Sequence, residues 1–448
     1  MPVESTPRAS CGRDAARVVG IVGGGQLARM TCEAASTLGV PTVVLAARQD
    51  DAAVTAAGDV LIGAATDGGA LRALAARTDV ITFDHEQVDL DVLGDLERAR
   101  VTLRPGLETL RIAVDKAEMR TRLADAGIAV PPFDVLGVAG GAGRSPNELV
   151  AAITRFAATN GWPVVVKAAR GGYDGKGVWP VADEEAAREV CERAARDATP
   201  LLVETHVDID AELAVVVARG ADGQSAAWPP VETAQVDGVC REVRYPGDLD
   251  PALAAASASL AREVASVVGA VGVLAVELFA TRGRLLVNEI AARPHNSAHW
   301  TIEGAVTSQF ENHVRAVLGL PLGDTSPAAS HVASVNVFGA AADANPADFA
   351  GPAGRLAAAL GVRGAHVHLY GKAVRPGRKL GHVTVCGDDP DDVRSRAWTA
   401  AKALGSPPPV STAPVSAPPI SAPPVSTAPV SAPPVSAPLA SPSPAVAP

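Results

Sequence analysis

The segment 163–178, PVVVKAARGGYDGKGV, constrains the fold of this chain more than any other stretch. Its apolar run at 164–166 is typical of a buried strand and ends at Lys167. Closely spaced glycines follow, and the chain becomes apolar again at Val178. We therefore expect a strand, a glycine-rich loop and a second strand, with the lysine at the mouth of the loop.

This loop has the chemistry of a phosphate-binding site. Lys167 at a strand end can place its charge on phosphate oxygens, and Arg170 and Lys176 add countercharge. Glycines let successive backbone N–H groups turn inward as an anion nest, here at Gly171, Gly172, Gly175 and Gly177. It is not a Walker A loop, because no G-K-[ST] run opens a helix. A plain glycine-rich β-turn is the alternative interpretation.

The N-terminal part begins with a β-α-β pattern. An apolar stretch at 18–22 precedes three glycines, a helical stretch at 26–38 and a second apolar stretch at 42–45. Such a unit predicts a parallel sheet, and its glycines allow a ligand phosphate to approach the helix N-terminus. A tight turn for helix–strand packing explains these glycines equally well. Because Ala28 stands at the last position of the G-x-G-x-x-G pattern, a nicotinamide enzyme is disfavoured.

Two further segments carry candidate ligand contacts in this N-terminal half. The strand predicted at 80–83 runs into an acidic loop, where Glu86 is placed to accept hydrogen bonds from ribose hydroxyls. A solvated loop acid is the alternative there. The apolar spacing over 111–126 predicts one helix that carries Lys116, which by itself indicates only a surface lysine.

The segment 201–207 predicts a short apolar strand that ends in a polar hinge. The backbone of such a hinge can offer N–H and C=O groups to an adenine edge. Glu212, a few residues further on, could accept hydrogen bonds from ribose hydroxyls. Without other evidence, the segment is only a strand with an acidic end.

The segment 275–290 predicts a β-hairpin with two facing carboxylates. Glu277 and Glu289 are equidistant from Gly283, so a hairpin centred there places them directly opposite, whereas a bulge shifts them by one residue. Asn288 points to the other face unless the strand is bulged. Two buried like charges destabilise a hairpin unless a cation lies between them, which favours Mg²⁺. A salt bridge from one glutamate to an arginine is the alternative.

Two polar clusters follow the hairpin. The loop with Arg293, His295, Asn296 and His299 precedes a helix predicted at 308–318, and a loop this polar is expected to line a site. Strands predicted at 331–338, 366–369 and 381–385 form a smaller C-terminal unit. Between its last two strands, four cations within eight residues predict a phosphate seat, with a solvated basic turn as the alternative: Lys372, Arg375, Arg378 and Lys379.

Composition excludes several classes of protein. A net charge of -10 and a pI near 5.4 argue against a nucleic-acid-binding protein, which needs surplus Lys and Arg. No uninterrupted apolar stretch reaches 18 residues and the first 17 residues lack a signal-peptide core, so we expect neither a membrane span nor secretion. Five scattered cysteines suit a reducing compartment, which predicts a cytoplasmic protein. Residues 406–448 are Pro-rich repeats and predict a disordered tail.

Several motifs together resemble one family. They are GGGQLARM, GGYDGKG, the pairs Val276-Glu277 and Asn288-Glu289, RPHNSAHW at 293–300 and YGKAVRPGRKLGH at 370–382. Over about 17–404 the chain resembles N5-carboxyaminoimidazole ribonucleotide synthase, an ATP-grasp ligase of purine biosynthesis. The resemblance implies a mixed α/β and α+β fold with a disordered extension at 1–16, a Rossmann-like pre-ATP-grasp domain at 17–112, a two-lobed ATP-grasp domain at 113–320 and a small C-terminal domain at 321–405.

The resemblance also implies substrates, cofactors and residue roles. The family uses ATP with Mg²⁺ and bicarbonate to carboxylate 5-aminoimidazole ribonucleotide. The resemblance also implies a homodimer. Nucleotide contacts are implied at Lys116, Lys167, Gly172, Gly175, Gly177, Val178, Glu204, Thr205, His206, Val207, Glu212, Gln235 and Asn288. Magnesium ligands are implied at Glu277 and Glu289. Contacts to the ribonucleotide are implied at Gln26, Leu27, Glu86, Lys372, Arg378 and Lys379. Residues around the reaction centre are implied at Tyr173, Asp174, Lys176, Arg293, His295 and Asn296.

Two positions depart from the family pattern. Lys116 stands where some relatives have arginine, which keeps the charge but loses a bidentate contact. Gln235 replaces a histidine that other members place near the nucleotide. Two other functions remain open at this stage: a sister enzyme such as formate-dependent glycinamide ribonucleotide transformylase, and a nucleotide sensor without catalysis. A sensor would not need both Glu277 and Glu289.

Overall fold

The computed structural model describes residues 17–138, 143–171, 177–236, 238–339 and 352–407. Its first region contains β1 (Val19–Val22), α1 (Gln26–Thr37), β2 (Thr42–Ala46), β3 (Asp59–Ile62), α2 (Gly68–Ala75), β4 (Val80–Phe83), α3 (Leu90–Arg98), α4 (Leu107–Val114) and α5 (Lys116–Asp125). Within the described residues the strands form a parallel sheet in the order β3-β2-β1-β4. The parallel sheet predicted from the β-α-β pattern is confirmed.

The single helix expected over 111–126 is wrong, because the chain breaks at Asp115. This residue has an extended backbone and caps α5, since its carboxylate accepts hydrogen bonds from the N–H groups of Ala117 at 2.9 Å and Glu118 at 3.2 Å. Lys116 therefore begins a new helix instead of lying inside a longer one. The break turns α5 toward the middle of the molecule, where Lys116 reaches the hairpin.

The next region contains β5 (Phe133–Val138), α6 (Pro146–Asn160), β6 (Val164–Ala168), β7 (Val178–Val181), α7 (Glu184–Arg196) and β8 (Pro200–Thr205). In the described chain these strands form an antiparallel sheet in the order β5-β8-β6-β7, with α6 and α7 packed on the core. Lys167 pairs with Val178 across β6 and β7, so the strand–loop–strand prediction is confirmed at both ends of the loop.

A large antiparallel sheet follows. Its region contains β9 (Ala211–Arg219), β10 (Ser225–Ala227), β11 (Val231–Val236), β12 (Val239–Tyr245), α8 (Pro251–Val267), β13 (Gly272–Thr281), β14 (Arg284–Ala291), a 3-10 turn (Asn296–Ala298), α9 (Thr301–Gly304), α10 (Gln309–Leu318), β15 (His331–Phe338), α11 (Pro352–Leu360), β16 (Ala365–Leu369), β17 (Lys379–Gly387) and α12 (Pro390–Ala403). Counting described residues only, the sheet runs β14-β13-β9-β11-β12-β15-β17-β16, with β10 beside β9.

The C-terminal strands continue this sheet, because β12 pairs with β15 in antiparallel register. We predicted the three strands correctly but placed them in a separate smaller unit. The chain also packs further than predicted: Ser406, which we assigned to the tail, is buried, and its hydroxyl donates to the Asn336 carbonyl at 3.3 Å. Residues 408–448 lie outside the described part of the chain.

Helix α10 connects the N-terminal sheet to the hairpin strands. Its apolar face, including Val314, Val317 and Leu318, packs with the core of β1 and α1. On the same helix, the His313 Nδ1 accepts a hydrogen bond from the Val273 N–H at 3.1 Å. The N-terminal sheet is therefore held firmly against the rest of the fold. Among the helices that the structure describes, none has both the length and the apolarity required to cross a bilayer.

Candidate active site

A cleft of about 1100 Å³ gathers side chains from the N-terminal sheet, both later sheets and the C-terminal basic turn. The predicted site residues that line it are Gln26, Leu27, Glu86, Lys116, Lys167, Val178, Glu204, Thr205, His206, Val207, Glu212, Gln235, Glu277, Asn288, Glu289, Arg293, His295, Asn296, Lys372 and Lys379. Gly177 and Arg378 are described but do not line it. Five predicted residues lie outside the described residues: Gly172, Tyr173, Asp174, Gly175 and Lys176.

Glu277 on β13 faces Glu289 on β14, although the hairpin is not centred on Gly283. Its turn has two residues, so an unbroken ladder would place Asn288 opposite Glu277. A β-bulge at Asn288 shifts the register by one residue and restores the pair of glutamates. It also brings Asn288 into the cleft lining, where its Oδ1 accepts a hydrogen bond from the Lys167 Nζ at 3.1 Å.

The two carboxylates have limited countercharge nearby. The Lys116 Nζ lies 2.5 Å from the Glu289 Oε1, and the His295 Nε2 lies 3.6 Å from the Glu277 Oε1. Burial deep in the cleft, followed by the charge of Glu289, raises the pKa of Glu277 to about 8. Burial lowers the pKa of His295 to about 3, so this histidine is neutral. The pair thus lacks a positive charge that a bound cation would supply.

The donor set fits a hard divalent cation. Glu277 and Glu289 offer carboxylate oxygens, and the neighbouring Asn288 offers an amide oxygen. Considering described residues alone, no group of three or more His, Cys, Asp or Glu side chains could by itself hold a metal ion. Mg²⁺ does not need such a group, since it binds through one or two carboxylates together with substrate phosphates and water.

Behind Lys167 lies a carboxylate that two cations share. The Glu204 Oε2 lies 2.8 Å from the Lys167 Nζ, and its Oε1 accepts from the Arg120 Nε at 2.7 Å. Burial alone would raise the pKa of Glu204, but Arg120 and Lys167 together lower it. Burial lowers the pKa of Lys167, although the adjacent carboxylate opposes that shift. The Glu204 side chain is therefore committed to Lys167 and Arg120, while its backbone lies in β8 between β5 and β6.

The opposite wall of this end of the cleft has a pair suited to ribose. Burial raises the pKa of Glu212, and a hydrogen bond from the Gln235 side chain opposes that shift. Both residues line the cleft, as do Thr205 and Val207 at the end of β8. The replacement of a family histidine by Gln235 thus keeps a polar group in place, hydrogen-bonded to the residue predicted to contact ribose.

The other end of the cleft joins the N-terminal sheet to the basic turn. The Lys372 Nζ donates to the Gln26 Oε1 at the start of α1. Glu86, which is predicted to accept hydrogen bonds from ribose hydroxyls, lines this end and forms an ion pair with Arg293 at 2.7 Å. Lys379 also lines this end, and Arg378 donates to the Ala373 carbonyl within the turn. Amide, lysine and arginine groups therefore converge where a second phosphate-bearing molecule can lie.

The glycines at the start of α1 allow close packing against Asp84, which is the tight-packing alternative and not the approach of a ligand phosphate. The Asp84 carboxylate accepts hydrogen bonds from the Gly25 N–H at 2.6 Å and the Ala28 N–H at 2.9 Å, so it caps this helix. A Cβ at position 25 would lie 2.2 Å from the Asp84 Oδ2. Glycine is required here because the aspartate approaches so closely.

His299 does not line the cleft, contrary to expectation. It is 1% exposed, and its ring packs against His382 with 4.7 Å between ring centroids. Its neighbours Arg293, His295 and Asn296 do line the cleft. The polar loop is therefore split, with one part facing the site and His299 inside the protein.

Family models match most of the described chain. The ribonucleotide synthetase preATP-grasp domain matches residues 16–114, the ATP-grasp domain residues 122–310, and the phosphoribosylaminoimidazole carboxylase C-terminal domain residues 333–396. N5-carboxyaminoimidazole ribonucleotide synthase from Mycobacterium tuberculosis is 47% identical over 393 residues, covering 86% of this chain and 87% of that protein. The chain belongs to the N5-carboxyaminoimidazole ribonucleotide synthase family.

Solved structures of this synthase family have the same fold. The Thermus thermophilus enzyme is 35% identical with a TM-score of 0.75, and the comparison covers 87% of this chain and 99% of that one. The Aspergillus clavatus synthase, solved with ADP and 5-aminoimidazole ribonucleotide, is 29% identical with a TM-score of 0.76 and the same coverage. The chain is therefore an ATP-grasp ligase of the synthase family, with the pre-ATP-grasp, ATP-grasp and C-terminal domains expected from its motifs.

Sequence reasoning missed three buried polar residues that support this synthase-family site. Asp84 caps α1, Arg120 holds Glu204, and Gln309 hydrogen-bonds the backbone of His295. Arg120 had one available signal, because it follows Lys116 by four residues and shares its helix face. Gln309 had none, since nothing in the sequence relates it to the loop that it holds.

Proposed function

We propose that this chain uses ATP and bicarbonate to carboxylate 5-aminoimidazole ribonucleotide, giving N5-carboxyaminoimidazole ribonucleotide in purine biosynthesis. The observation that carries the proposal is a single cleft with lysines at both ends. One end has Lys116 and Lys167 beside the facing glutamates, and the other has Lys372 and Lys379. An enzyme that uses a nucleoside triphosphate to carboxylate a ribonucleotide must bind both phosphate-bearing molecules, and so needs both ends.

The ATP end combines positioning with charge. Lys116 and Lys167 are proposed to contact the phosphates, and the backbone of Thr205 to Val207 the adenine ring. The Glu212 carboxylate is proposed to accept hydrogen bonds from the ribose hydroxyls, and the Gln235 amide to donate one to them. Gly177 and Val178 lead into and begin β7. Gly172 and Gly175, which lie outside the described residues, stay predictions for nucleotide contacts.

Mg²⁺ is proposed to be held by Glu277 and Glu289, with Asn288 beside them. When bound, it would neutralise phosphate charge that develops during phosphoryl transfer. The protein's own contribution is to keep the two carboxylates on one face of the hairpin through the bulge at Asn288. Lys116 at 2.5 Å from Glu289 then orients one of these carboxylates.

The reaction has two balanced steps. A bicarbonate oxygen attacks the γ-phosphorus of ATP, the bond to the bridging oxygen breaks, and ADP and carboxyphosphate form. The exocyclic amine of 5-aminoimidazole ribonucleotide then attacks the carboxyphosphate carbon, releasing inorganic phosphate and a proton. Arg293, His295 and Asn296 lie between the two ends of the cleft and are proposed to surround the transferred carboxyl group. Neutral His295 can accept or donate a hydrogen bond without charge repulsion from Arg293.

The ribonucleotide is proposed to bind Gln26, Leu27, Glu86 and the basic turn, with Lys372, Arg378 and Lys379 near its phosphate. The contact between Lys372 and Gln26 supports this, since both groups face the same cavity. Tyr173, Asp174 and Lys176 stay predictions for the reaction centre, because they lie outside the described residues.

An ADP-release assay in which each substrate is omitted in turn tests the proposal. ADP should form rapidly only with ATP, Mg²⁺, bicarbonate and 5-aminoimidazole ribonucleotide together, and N5-carboxyaminoimidazole ribonucleotide should appear in equal amount. Formate with glycinamide ribonucleotide is the control for a sister ligase. Turnover with that pair alone, or ATP binding without turnover under any condition, would overturn the proposal.

The cellular setting is also proposed from the sequence and its relatives. We propose a cytoplasmic homodimer that binds small molecules, with no nucleic acid or membrane partner. Cys32, Cys191 and Cys386 are free thiols, which suits a reducing compartment. Light scattering coupled to size-exclusion chromatography measures the oligomeric state, and a monomer at all protein concentrations would refute the dimer.

A further inference from the structure

A buried group of three charged side chains lies directly behind the phosphate end of the cleft. Arg120 is 0% exposed, Glu204 2% and Lys167 7%. The glutamate accepts from the Arg120 Nε at 2.7 Å and its other oxygen lies 2.8 Å from the Lys167 Nζ. Burying a charge costs free energy unless the charge is paired, so a buried group with two cations and one carboxylate requires an explanation.

The group has more positive than negative charge. Two cations share one carboxylate, which leaves a net charge of +1 at neutral pH. Within the described structure, the two terminal nitrogens of Arg120 are buried and have no hydrogen-bond partner. A simple Lys167–Glu204 pair would be neutral and would present little charge to a phosphate. Arg120 offsets the negative charge of Glu204, so that the positive charge of Lys167 is not cancelled.

The geometry gives Lys167 one donor for a ligand. An ammonium group has three N–H donors; here one is directed to Glu204 and one to the Asn288 Oδ1 at 3.1 Å. The residue lines the cleft, so the third donor can meet a bound anion. Arg120 does not line the cleft and can act only through Glu204.

We propose that Arg120 is a positioning residue for the nucleotide phosphates: it neutralises and holds Glu204, so that Lys167 keeps both its orientation and its charge for the ligand. The inference rests on the proposed role of Lys167 in binding ATP phosphate. Helix α5 then serves the site twice, since Lys116 on its first turn contacts Glu289 and Arg120 one turn later holds Glu204.

Charge balance makes the inference testable by paired substitutions. Arg120→Met leaves a neutral Lys167–Glu204 pair, whereas the double variant Arg120→Met/Glu204→Gln restores a net charge of +1. Arg120→Lys keeps the charge with different geometry. Arg111→Met is the matched control, because Arg111 pairs with Glu118 on the surface and does not line the cleft.

Calorimetric titration of the full chain with ADP and, separately, with adenosine provides the measurement. In Arg120→Met, ADP should bind roughly tenfold or more weakly, the effect of losing one partner of a buried charge network. Adenosine, which has no phosphate, should bind as it does to the parent. The double variant and Arg120→Lys should recover at least part of the ADP affinity, and Arg111→Met should match the parent.

Three outcomes would overturn the inference. They are unchanged ADP binding in a folded Arg120→Met, equal weakening of ADP and adenosine, and a double variant that binds ADP no better than the single one. If Arg120→Met does not fold, the double variant and Arg120→Lys decide the matter, since weak ADP binding in both also contradicts it. A parent chain that does not bind ADP would instead refute the proposed function.

Discussion

Glu289 pairs with Lys116 and faces a second carboxylate, Glu277. Its Oε1 lies 2.5 Å from the Lys116 Nζ, and its backbone pairs with Glu277. Glutamine has the same shape and keeps the strand register but removes a proposed magnesium ligand. We expect Glu289→Gln to lower ATP turnover roughly 100-fold or more, as for loss of an electrostatic group that acts in the transition state.

ADP release in the complete reaction measures this effect, and circular dichroism checks that the fold is intact. Glu118→Gln is the matched control, because Glu118 pairs with Arg111 at 3.1 Å on the surface. Near-normal turnover in Glu289→Gln would refute the metal site.

Gln309 holds the backbone of the loop that carries His295. Its Oε1 accepts from the His295 N–H at 2.8 Å, and its Nε2 donates to the His295 carbonyl at 2.7 Å, in a fully buried position. Leucine fills a similar volume but leaves both backbone groups without a partner, so the loop should shift. We expect Gln309→Leu to lower kcat roughly tenfold while the Kd of ADP changes by less than about twofold, since small displacements penalise reacting groups most.

Steady-state kinetics and ADP titration separate these two quantities for Gln309→Leu. Gln224→Leu is the control, because Gln224 accepts a backbone hydrogen bond from Leu322 at the surface, at 3.3 Å. If ADP affinity and kcat fell together, the role assigned to Gln309 would be wrong.

At the scale of residues, the sequence predicted many side chains that line the cleft and missed those that contact only other residues. Lys167 and Glu277 are recognisable because a charged group interrupts an apolar strand. Arg120 contacts a partner 84 positions away in the chain, and no local pattern relates the two. Supporting residues depend on tertiary packing, which a motif does not encode.

Helix α5 depends on its cap. Asp115 accepts from the first-turn N–H groups of α5 and also from the Arg170 Nε at 2.6 Å. We expect Asp115→Ala to lower the free energy of unfolding by about 1 kcal/mol, the usual effect of losing an N-cap. Lys116 begins this helix, so the KM for ATP should also rise. Urea unfolding and steady-state kinetics measure the two effects.

Asp115→Asn distinguishes the cap from the ion pair. Asparagine caps a helix as well as aspartate does but cannot pair with Arg170, whose side chain is 66% exposed. Stability close to that of the parent is expected for Asp115→Asn. A loss equal to that of Asp115→Ala would mean that the ion pair, and not the cap, stabilises this junction.

Strands were predicted with the correct bounds where the sequence marked both of their ends. The strand 80–83 and the strand 331–338 match their predicted bounds, because each apolar run is flanked by polar or turn residues. The helix over 111–126 was predicted as continuous because its apolar periodicity persists through Asp115. A bulge in the hairpin was left as an alternative, and its presence could not be decided, since a single extra residue does not change the composition of a strand.

On the scale of the whole molecule, the C-terminal strands are part of the main sheet. Arg244 on β12 pairs with Ala333 on β15, which are 89 residues apart in the chain by their numbering. Sequence patterns identify strands but do not choose between distant pairing partners. Because the C-terminal strands belong to the main sheet, the basic turn at 370–379 can reach the same cleft as the ATP-grasp domain.

The packed chain continues to Ser406, which sets where a truncation is tolerated. Removal of residues 408–448 should leave kcat/KM within about twofold of the parent, because repeats this rich in proline cannot supply a core. Removal of residues 406–448 also deletes the Ser406 hydrogen bonds to Asn336 and Ala401, and should cost about 1 kcal/mol in the free energy of unfolding. Kinetics and urea unfolding test both, and a large activity loss in the longer fragment would give the tail a function.

His313 joins the N-terminal sheet to the hairpin, so its protonation should affect the stability of the whole molecule. Its Nδ1 accepts from the Val273 N–H at 3.1 Å, so the proton resides on Nε2, which lies 2.8 Å from the Thr82 Oγ1. Burial lowers the pKa of His313 to about 3. The unfolded state, with a pKa near 6.5, binds this proton first as the pH falls.

Stability from neutral His313 is therefore fully present above pH 6.5 and is lost progressively as the pH falls from about 6.5 toward 3. At pH 5 this one group should reduce the free energy of unfolding by about 2 kcal/mol relative to pH 8. Urea unfolding at both pH values measures the difference. His313→Asn should be less stable than the parent at pH 8 but should lose about 2 kcal/mol less on acidification. His366→Asn is the control: His366 is exposed, so this variant should show the same pH dependence of stability as the parent. If His313→Asn also showed the parent's pH dependence, protonation of His313 would not explain the loss of stability in acid.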